Sequence, residues 1–177
     1  MNEVLNSLKT RRSVRAYQDT QVPDELLDQV LEAGLYAASG MNNQKVIMVA
    51  VRDKETRDLL SRMNAAVMGR DADPFYGAPC VIVVLGDHDI YPVVENGSLV
   101  LGNLMNAAHA VGLGSAVGYI GAHNRSEIPF GIIIHQRCLI CNTCCGNSAI
   151  SIVCIGDICS RGILHRGGKS PHGADTG

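Results

Sequence analysis

The chain has 177 residues, a formal net charge of −2 and a hydrophobic fraction of 46%, which predicts one globular domain of ordinary size. The slightly acidic balance argues against a general nucleic-acid binder, whose surface is usually basic. No apolar run reaches the roughly 20 residues needed to cross a bilayer, and the start of the chain lacks the cation-then-apolar order of a signal peptide. We therefore expect a cytoplasmic protein with neither a membrane nor a nucleic acid as partner.

Helical and extended patterns alternate through the first 115 residues, since apolar residues at helical spacing predict helices and short β-branched runs predict buried strands. In chain order the predicted elements are a helix at 2–9 capped by Asn2, a helix from Pro23–Asp24 to about 37–40, a strand at 45–51, a helix at 54–68 with Leu59, Met63 and Ala66 on one side, a strand at 80–86 and a helix at 96–114. The last helix is nearly uncharged, which predicts burial in a core or between subunits. This order predicts a layered α/β or α+β domain.

Residues 116–177 differ from the rest of the chain in composition. They hold six of the seven cysteines and carry five Lys/Arg against three Asp/Glu, whereas residues 1–115 carry ten against fourteen. The runs GIIIH and AISIVCIG are candidate strands, and the end, rich in Gly, Ser, Pro and His, predicts disorder. We therefore divide the chain into residues 1–115 and an atypical Cys/Gly-rich tail at 116–177.

Three arginines and a serine lie within five residues near the N-terminus: Arg11, Arg12, Ser13 and Arg15. Guanidinium groups donate forked hydrogen bonds and the serine hydroxyl adds a donor of short reach, so the cluster suits a phosphate group. The alternative is a solvated basic loop, because runs of charge usually face water.

The sequence AASGMNNQ at 37–44 combines small residues with amides. Small side chains let a ligand approach the backbone, and the amides of Asn42, Asn43 and Gln44 can donate and accept hydrogen bonds at once. That combination suits the polar edge of a heteroaromatic ring. A helix end followed by a turn explains Gly40 and Asn42 equally well.

Two further features lie within residues 62–79. Asn64 is a polar residue at the edge of an apolar helical face, and DPFYGAP at 73–79 is a loop with two of the seven aromatic residues. We interpret this loop either as a surface loop packed on its own aromatics or as a lid on the substrate side of a site.

Five motifs follow one another in the order RRSVRAY at 11–17, Ser39-x-x-Asn42-x-Gln44, Asn64, DPFYGAPCVIVVL at 73–85 and GSLVLGNLMNAAHAVGLGS at 97–115. In this order and spacing they resemble the nitroreductase family of FMN-dependent oxidoreductases, over residues 1 to about 115. The chain departs from the family pattern at Ala38, where proline is common, and at Lys45-Val46, where Pro-Trp is common.

The resemblance implies an α+β fold, with helices around a small, mostly antiparallel sheet and a long buried helix at a dimer interface. It also implies a homodimer with FMN between the subunits. By the motif match, Arg11, Arg12 and Ser13 would contact the phosphate and ribityl chain, and Arg15 would lie near the pyrimidine end of the flavin, where a cation stabilises negative charge. The remaining cofactor contacts implied by the match are Ala38, Ser39, Gly40 and Asn42 from the partner subunit, Gln44 of the same motif, and Asn64 at the polar edge of the ring.

The same resemblance implies the reaction. NAD(P)H would reduce the flavin, and a nitro compound, a quinone or a similar small acceptor would take the electrons, so no side chain is expected to act as a catalytic nucleophile. We expect His109 to be a satisfied core histidine and Cys80 to be inert packing at the start of a buried strand.

The tail also contains the spacing of three iron–sulfur ligands. These are Cys138, Cys141 and Cys144, with Cys154 or Cys159 as a fourth. Zinc is the other metal that such a set could bind. An electron-transfer protein with an iron–sulfur site is therefore one alternative function.

We favour a different origin for the tail, a shifted reading frame after Ser115. Codons that encode Ala116–Gly121 can encode Cys-Trp-Val-His-Arg when they are read two bases later, and the family commonly continues in that way. In the family this part supplies a Gly-rich strand and basic residues beside the flavin. The second alternative function is therefore a truncated remnant that binds flavin weakly or not at all.

Overall fold

The computed structural model describes residues 2–87, 89, 91–118 and 148–156. The helices in these ranges are α1 (Glu3–Thr10), α2 (Asp24–Leu35), α3 (Lys54–Met68) and α4 (Val93–Ala110), with a short 3-10 turn at Gly40–Asn42. The strands are β1 (Val46–Val51), β2 (Cys80–Asp87), β3 (Gly114–Gly118) and β4 (Ser148–Gly156). None of these helices is long and apolar enough to cross a membrane.

The four strands of the described residues form one sheet in the order β1-β2-β4-β3, and every neighbouring pair is antiparallel. β2 and β4 are the interior strands, and the backbone of β4 pairs with β2 on one side and with β3 on the other. The run AISIVCIG is therefore a strand, as predicted, whereas GIIIH lies outside the described residues. Helices packed on a small antiparallel sheet confirm the predicted α+β class.

Different helices and loops pack on the two faces of the sheet. Alternate residues of a strand point to opposite faces. On one face Ile82 of β2 packs against α2 and α4, where Val30 and Leu104 are fully buried. On the other face Val81 packs with Phe75 and with part of α3. Each such buried side chain stabilises the fold by about 1.5–3 kcal/mol.

The helix predicted at 96–114 lies closer to the N-terminus than expected. α4 begins at Val93 and ends at Ala110. Gly112 then adopts a φ of +85°, which is readily available to glycine, and β3 begins at Gly114. α4 buries one stripe of its surface and leaves Leu99 48% exposed. Within the single chain this nearly uncharged helix is therefore buried on one side only.

The inward face of α3 is not the predicted apolar one. Leu59 is 44% exposed, whereas Arg57, Ser61 and Asn64 are 8%, 7% and 3% exposed. These three positions recur at helical spacing and form a polar stripe. Leu59, which the sequence analysis groups with Met63 and Ala66 on one side of the helix, is exposed, whereas Arg57 and Ser61 face inward because they find hydrogen-bond partners in the loop that follows the helix.

α1 begins as predicted, with Asn2 Oδ1 accepting a hydrogen bond from Leu5 N at 3.2 Å. Its apolar side is left open within the single chain. Val4, Leu5 and Leu8 are each at least half exposed. Contiguous exposed apolar residues of this kind are typical of a surface that another chain covers.

Candidate cofactor site

Three segments carry the residues that the sequence analysis marks as functional. The basic segment (residues 11–17) follows α1, the serine–asparagine turn (residues 37–44) joins α2 to β1, and the aromatic loop (residues 73–79) joins α3 to β2. Each of them is fixed by hydrogen bonds to a helix or strand of the sheet domain.

The basic segment is attached to the first residues of β3. Ser13 and Ser115 form an isolated parallel bridge, and Val14 N donates to Ser115 O at 3.0 Å. Tyr17 Oη donates to Val14 O at 2.7 Å and closes the segment on itself. Ser115 is 2% exposed. Its Oγ and Nη1 of Arg11 are buried atoms without a hydrogen-bond partner in the described part of the chain.

The other two arginines of the basic segment have different surroundings. Arg12 is exposed, and its Nη1 donates to Lys9 O at 2.7 Å and to Arg11 O at 2.8 Å. This guanidinium therefore supports the end of α1. Arg15 is also exposed, and its Cζ lies 5.7 Å from the ring centroid of Tyr76 in the aromatic loop.

The aromatic loop is held by the carboxylate of Asp73. Asp73 accepts hydrogen bonds from Phe75 N at 2.9 Å and from Gly77 N at 2.7 Å. On the side of α3, Ser61 Oγ donates to it at 2.7 Å and Arg57 forms an ion pair with it. The carboxylate therefore ties the loop backbone to the polar stripe of α3.

This network keeps Asp73 ionised. Burial by itself raises the pKa of Asp73, but the hydrogen bonds from Ser61, Arg57 and the loop backbone outweigh burial and hold the pKa below its usual value. Arg57 is held in turn, because its Nε donates to Ala78 O at 3.1 Å and its Cζ lies 5.6 Å from the ring centroid of Phe75. The loop is therefore rigidly connected to α3.

The serine–asparagine turn is fixed to α4 by Asn96, which is 2% exposed. Asn96 Oδ1 accepts a hydrogen bond from Gly40 N at 2.8 Å, and Asn96 Nδ2 donates to Asn43 Oδ1 at 3.2 Å. Within the turn, Ser39 Oγ accepts a hydrogen bond from Gln44 N at 3.1 Å. The turn is therefore a preformed structure.

The backbone of this turn is strained. The angle φ is +54° at Met41, +52° at Asn42 and +49° at Gln44. Left-handed conformations are uncommon outside glycine, and they persist where the surroundings impose them, often at functional sites. Gly40 is required for another reason, because a Cβ there would lie 2.6 Å from Cδ of Pro92.

A cavity of about 320 Å³ lies beside the turn. Ser39 and Gln44 form its polar side, together with Asn96, and Ala38 and apolar residues of α2, β1 and α4 form the rest. Ala38 and Gln44 are exposed, as is Asn42 on the same turn. The small and amide residues marked by the sequence are therefore accessible to a ligand or to another chain.

The predicted site residues fall into two groups at opposite ends of the sheet. The serine–asparagine turn leads into β1 at Val46, which pairs with Gly86. The basic segment meets β3 at Ser115, which lies opposite Ile155 and therefore level with Cys80. The six residue steps from Cys80 to Gly86 span about 20 Å at 3.3–3.4 Å per residue. The two groups are therefore far apart within one chain.

Several functional candidates escaped the sequence analysis. Arg57 and Ser61 were missed, although they recur at helical spacing with Asn64, which the sequence analysis did mark, and this polar stripe is a signal that the sequence contains. Asn96 and Ser115 carry no local signal, because the partners of Asn96 lie 56 and 53 residues away and Ser115 is defined by its bridge to the basic segment.

The two residues excluded as nucleophiles are both engaged. Cys80 is fully buried, and burial raises the pKa of its thiol to about 11 although the charge of Arg52 acts in the opposite direction. Such a thiol is unreactive near neutral pH, which confirms its packing role. His109 is half-buried rather than in the core, and its Nε2 lies 3.0 Å from Thr10 Oγ1.

The cysteine-rich part of the tail lies outside the described residues, and so do Cys138, Cys141 and Cys144. Within the described ranges, no group of three or more His, Cys, Asp or Glu side chains is arranged to hold a metal ion. The iron–sulfur alternative therefore stays a prediction.

Sequence comparison identifies the family. The Nitroreductase family profile matches residues 8–70. A protein of Methanothermobacter thermautotrophicus named "Putative NADH dehydrogenase/NAD(P)H nitroreductase" is 32% identical over 149 residues, covering 74% of this chain and 75% of that protein. The FMN reductase (NAD(P)H) of Bacillus subtilis is 33% identical over 132 residues, covering 65% of this chain and 53% of that protein. The chain belongs to the nitroreductase family.

Solved structures agree with this assignment. A Bacteroides fragilis nitroreductase with bound FMN superposes with a TM-score of 0.76 and 25% identity, covering 99% of this chain and 98% of that one. A Desulfitobacterium hafniense nitroreductase with bound FMN gives a TM-score of 0.73 and 26% identity, covering 99% of this chain and 95% of that one. The chain is therefore an oxidoreductase with the nitroreductase fold.

Proposed function

We propose that the chain is an FMN-dependent oxidoreductase that takes electrons from NAD(P)H and passes them to a nitro compound, a quinone or a similar small acceptor. The family, the FMN-bound structures of similar fold and the FMN reductase of Bacillus subtilis support an FMN-dependent NAD(P)H oxidoreductase. The observation that carries the site is two buried donors, one in the basic segment and one in the strand that it meets, that have no hydrogen-bond partner among the described residues.

These donors, Arg11 Nη1 and Ser115 Oγ, fit a phosphate group. A buried donor left unpaired is unfavourable by about 1–3 kcal/mol, and by more when it is charged. The bridge between Ser13 and Ser115 places Ser115 next to the basic segment. A phosphate offers several anionic acceptors to guanidinium and hydroxyl donors at once. The residues present therefore suit the FMN phosphate, with Arg12 adding positive charge nearby.

The remaining contacts are inferred from the family match. Arg15 would face the pyrimidine end of the flavin, where its charge stabilises negative charge on the ring. Asn64 is almost fully buried on α3 and would present its amide to the polar edge of the ring. FMN supplies the hydride and electron transfer when bound. The chain's own residues bind it, orient it and balance its charge.

A homodimer completes the site in this proposal. Within one chain the serine–asparagine turn lies about 20 Å along the sheet from the level of the basic segment. A two-fold axis places the same surface of each subunit against its partner. The Ala38–Asn42 stretch and Gln44 of one subunit would then reach the flavin held by the basic segment of the other.

The flavin content of the purified full-length chain tests the proposal. We expect flavin absorption bands and about one FMN per chain after titration, together with NAD(P)H oxidation that depends on an added nitroaromatic compound or quinone. A colourless chain that takes up no FMN would contradict the proposal and indicate the remnant. A broad brown absorption that bleaches on reduction would instead indicate an iron–sulfur protein.

Arg11→Gln tests the phosphate contact directly. Loss of a charge-assisted hydrogen bond of about 1.5–3 kcal/mol should weaken FMN binding roughly 10- to 100-fold. Lys54→Gln is the matched control, because it also removes one positive charge and the Lys54 side chain is 86% exposed and pairs with Asp58. Equal FMN affinities in the two variants would show that Arg11 does not hold the phosphate.

A further inference from the structure

The aromatic loop presents Tyr76 in an unusual conformation. Phe75 is fully buried, and Asp73 fixes the backbone on both sides of Tyr76 through Phe75 N and Gly77 N. Between these anchors Tyr76 has a φ of +57° and is 41% exposed. A left-handed conformation is unfavourable for a bulky aromatic residue. Burial in the core does not explain why a tyrosine is held there, because so much of it is exposed.

The ring of Tyr76 lies against the basic segment. Cζ of Arg15 is 5.7 Å from the ring centroid, within the range of a cation–π contact. An exposed arginine side chain otherwise samples many rotamers. A ring carried by a rigid loop restricts that sampling, and the loop is rigid because the ion pair of Arg57 and Asp73 ties it to α3.

We propose that Tyr76 is a positioning residue for Arg15, and that the strained aromatic loop holds its ring where it orients the Arg15 guanidinium toward the bound flavin. This inference rests on the proposed function, because the target of Arg15 is the pyrimidine end of FMN. Tyr76 acts through Arg15 in this arrangement. Without the ring, the flavin should bind less tightly and become harder to reduce.

Tyr76→Asn separates this role from a role in folding. Asparagine accepts the left-handed conformation more readily than tyrosine, and it has no ring. The urea midpoint of unfolding should therefore stay at its wild-type value or rise. The FMN dissociation constant should rise roughly two- to fivefold, as expected for loss of an exposed cation–π contact, and the midpoint potential of the bound flavin should become more negative. Tyr76→Phe keeps the ring and should restore both values.

A double variant shows whether the effect passes through Arg15. Arg15→Gln should weaken FMN binding at least as much as Tyr76→Asn does. Adding Tyr76→Asn to Arg15→Gln should then change neither the dissociation constant nor the potential further. The inference is overturned if Tyr76→Asn alone has no effect, or if its full effect persists in the Arg15→Gln background.

A measurement without FMN separates the inference from the proposed function. The Nε–H resonance of Arg15 in a proton–nitrogen correlation spectrum of the flavin-free chain should be displaced by the ring current of Tyr76. The displacement should be kept in Tyr76→Phe and lost in Tyr76→Asn, and an unchanged resonance in Tyr76→Asn overturns the inference. If the resonance behaves as expected but Arg15→Gln leaves FMN binding unchanged, the flavin contact assigned to Arg15 is wrong instead.

Discussion

A single buried amide, that of Asn96, holds the serine–asparagine turn against α4. Asn96→Ala should lower the free energy of unfolding by about 1–3 kcal/mol, because it leaves Gly40 N without its acceptor and removes one of the two donors to Asn43 Oδ1, the other being Lys45 N at 3.4 Å. Urea denaturation measures the change. FMN affinity should fall as well, since the turn loses its fixed shape.

Asn106→Ala is the control for this prediction. Asn106 is half-buried on the same helix, and its side chain makes no hydrogen bond to the described part of the chain. A loss of stability as large as that of Asn96→Ala would mean that the effect comes from removing any asparagine of α4, and that the two hydrogen bonds of Asn96 contribute little.

Asp73 should make stability depend on pH. Its pKa in the fold is lowered, so its ionised form stabilises the protein at every pH well above the unfolded value of about 3.9, and this contribution is lost as the pH falls through the lowered native pKa. Asp73→Asn should therefore be less stable than the wild type by about 1–2 kcal/mol at pH 7, allowing for partial exposure. In urea denaturation the difference should shrink below about pH 4.

Asp71→Asn is the matched control for the pH dependence. Asp71 is an exposed carboxylate of the same connection and forms no ion pair with the described residues. Its substitution should change stability little at either pH. A difference between wild type and Asp73→Asn that stays constant from pH 7 to pH 3 would contradict the role assigned to the charge.

Among the elements, α3 holds the aromatic loop in place through the side chains of Arg57 and Ser61. Asp53 caps its start by accepting hydrogen bonds from Thr56 N at 2.8 Å and Thr56 Oγ1 at 2.7 Å. Gly69 ends it with a φ of +62°. The bounds of α3 were predicted correctly, because caps and breakers are local signals. Its buried face was not, because the partners of Arg57 lie in a loop that folds back on the helix.

Gly69→Ala should destabilise the protein through backbone strain alone. A Cβ at Gly69 would meet no atom within 4 Å, so the cost of the left-handed conformation, about 1–2 kcal/mol, is the whole expected effect. Thermal or urea unfolding measures it. Gly69→Asn should lose less, because asparagine tolerates this conformation. Equal losses for the two variants would show that packing, and not φ, limits the position.

At the scale of the molecule, exposed apolar residues surround the serine–asparagine turn. They are Leu35, Tyr36, Met41, Tyr91 and Leu99, with exposures from 48% to 82%. A monomeric protein rarely leaves such a cluster open to water. The cluster lies on the surface that would meet the second subunit in the proposed dimer.

Met41→Glu tests the dimer and the shared site together. A carboxylate at this 82% exposed position would be buried against the partner, which is strongly unfavourable without a counter-charge. We expect a monomer by light scattering and a parallel loss of bound FMN. Leu59→Glu, on the exposed side of α3, should stay dimeric. A monomeric wild type with full FMN content would contradict a site built from two subunits.

The division of the chain at residue 115 and the shifted reading frame stay predictions. β3 runs from Gly114 to Gly118 across that division, and β4 at 148–156 is one of the two interior strands of the sheet. The coding DNA decides the question of the frame. If the second frame after Ser115 does not continue the family pattern, the hypothesis is wrong.

The sequence by itself determined the order of helices and strands over residues 2–110, because hydrophobic period and caps are local features of the chain. The order of its motifs also indicated the family and, through that resemblance, the α+β class. The sequence also marked the basic segment, the serine–asparagine turn and the aromatic loop. Only the tertiary structure decided that Asn96 holds the turn, that Arg57 and Asp73 hold the loop, and that the two halves of the site lie at opposite ends of the sheet. These facts depend on pairings between residues distant in sequence, and no local pattern encodes such pairings.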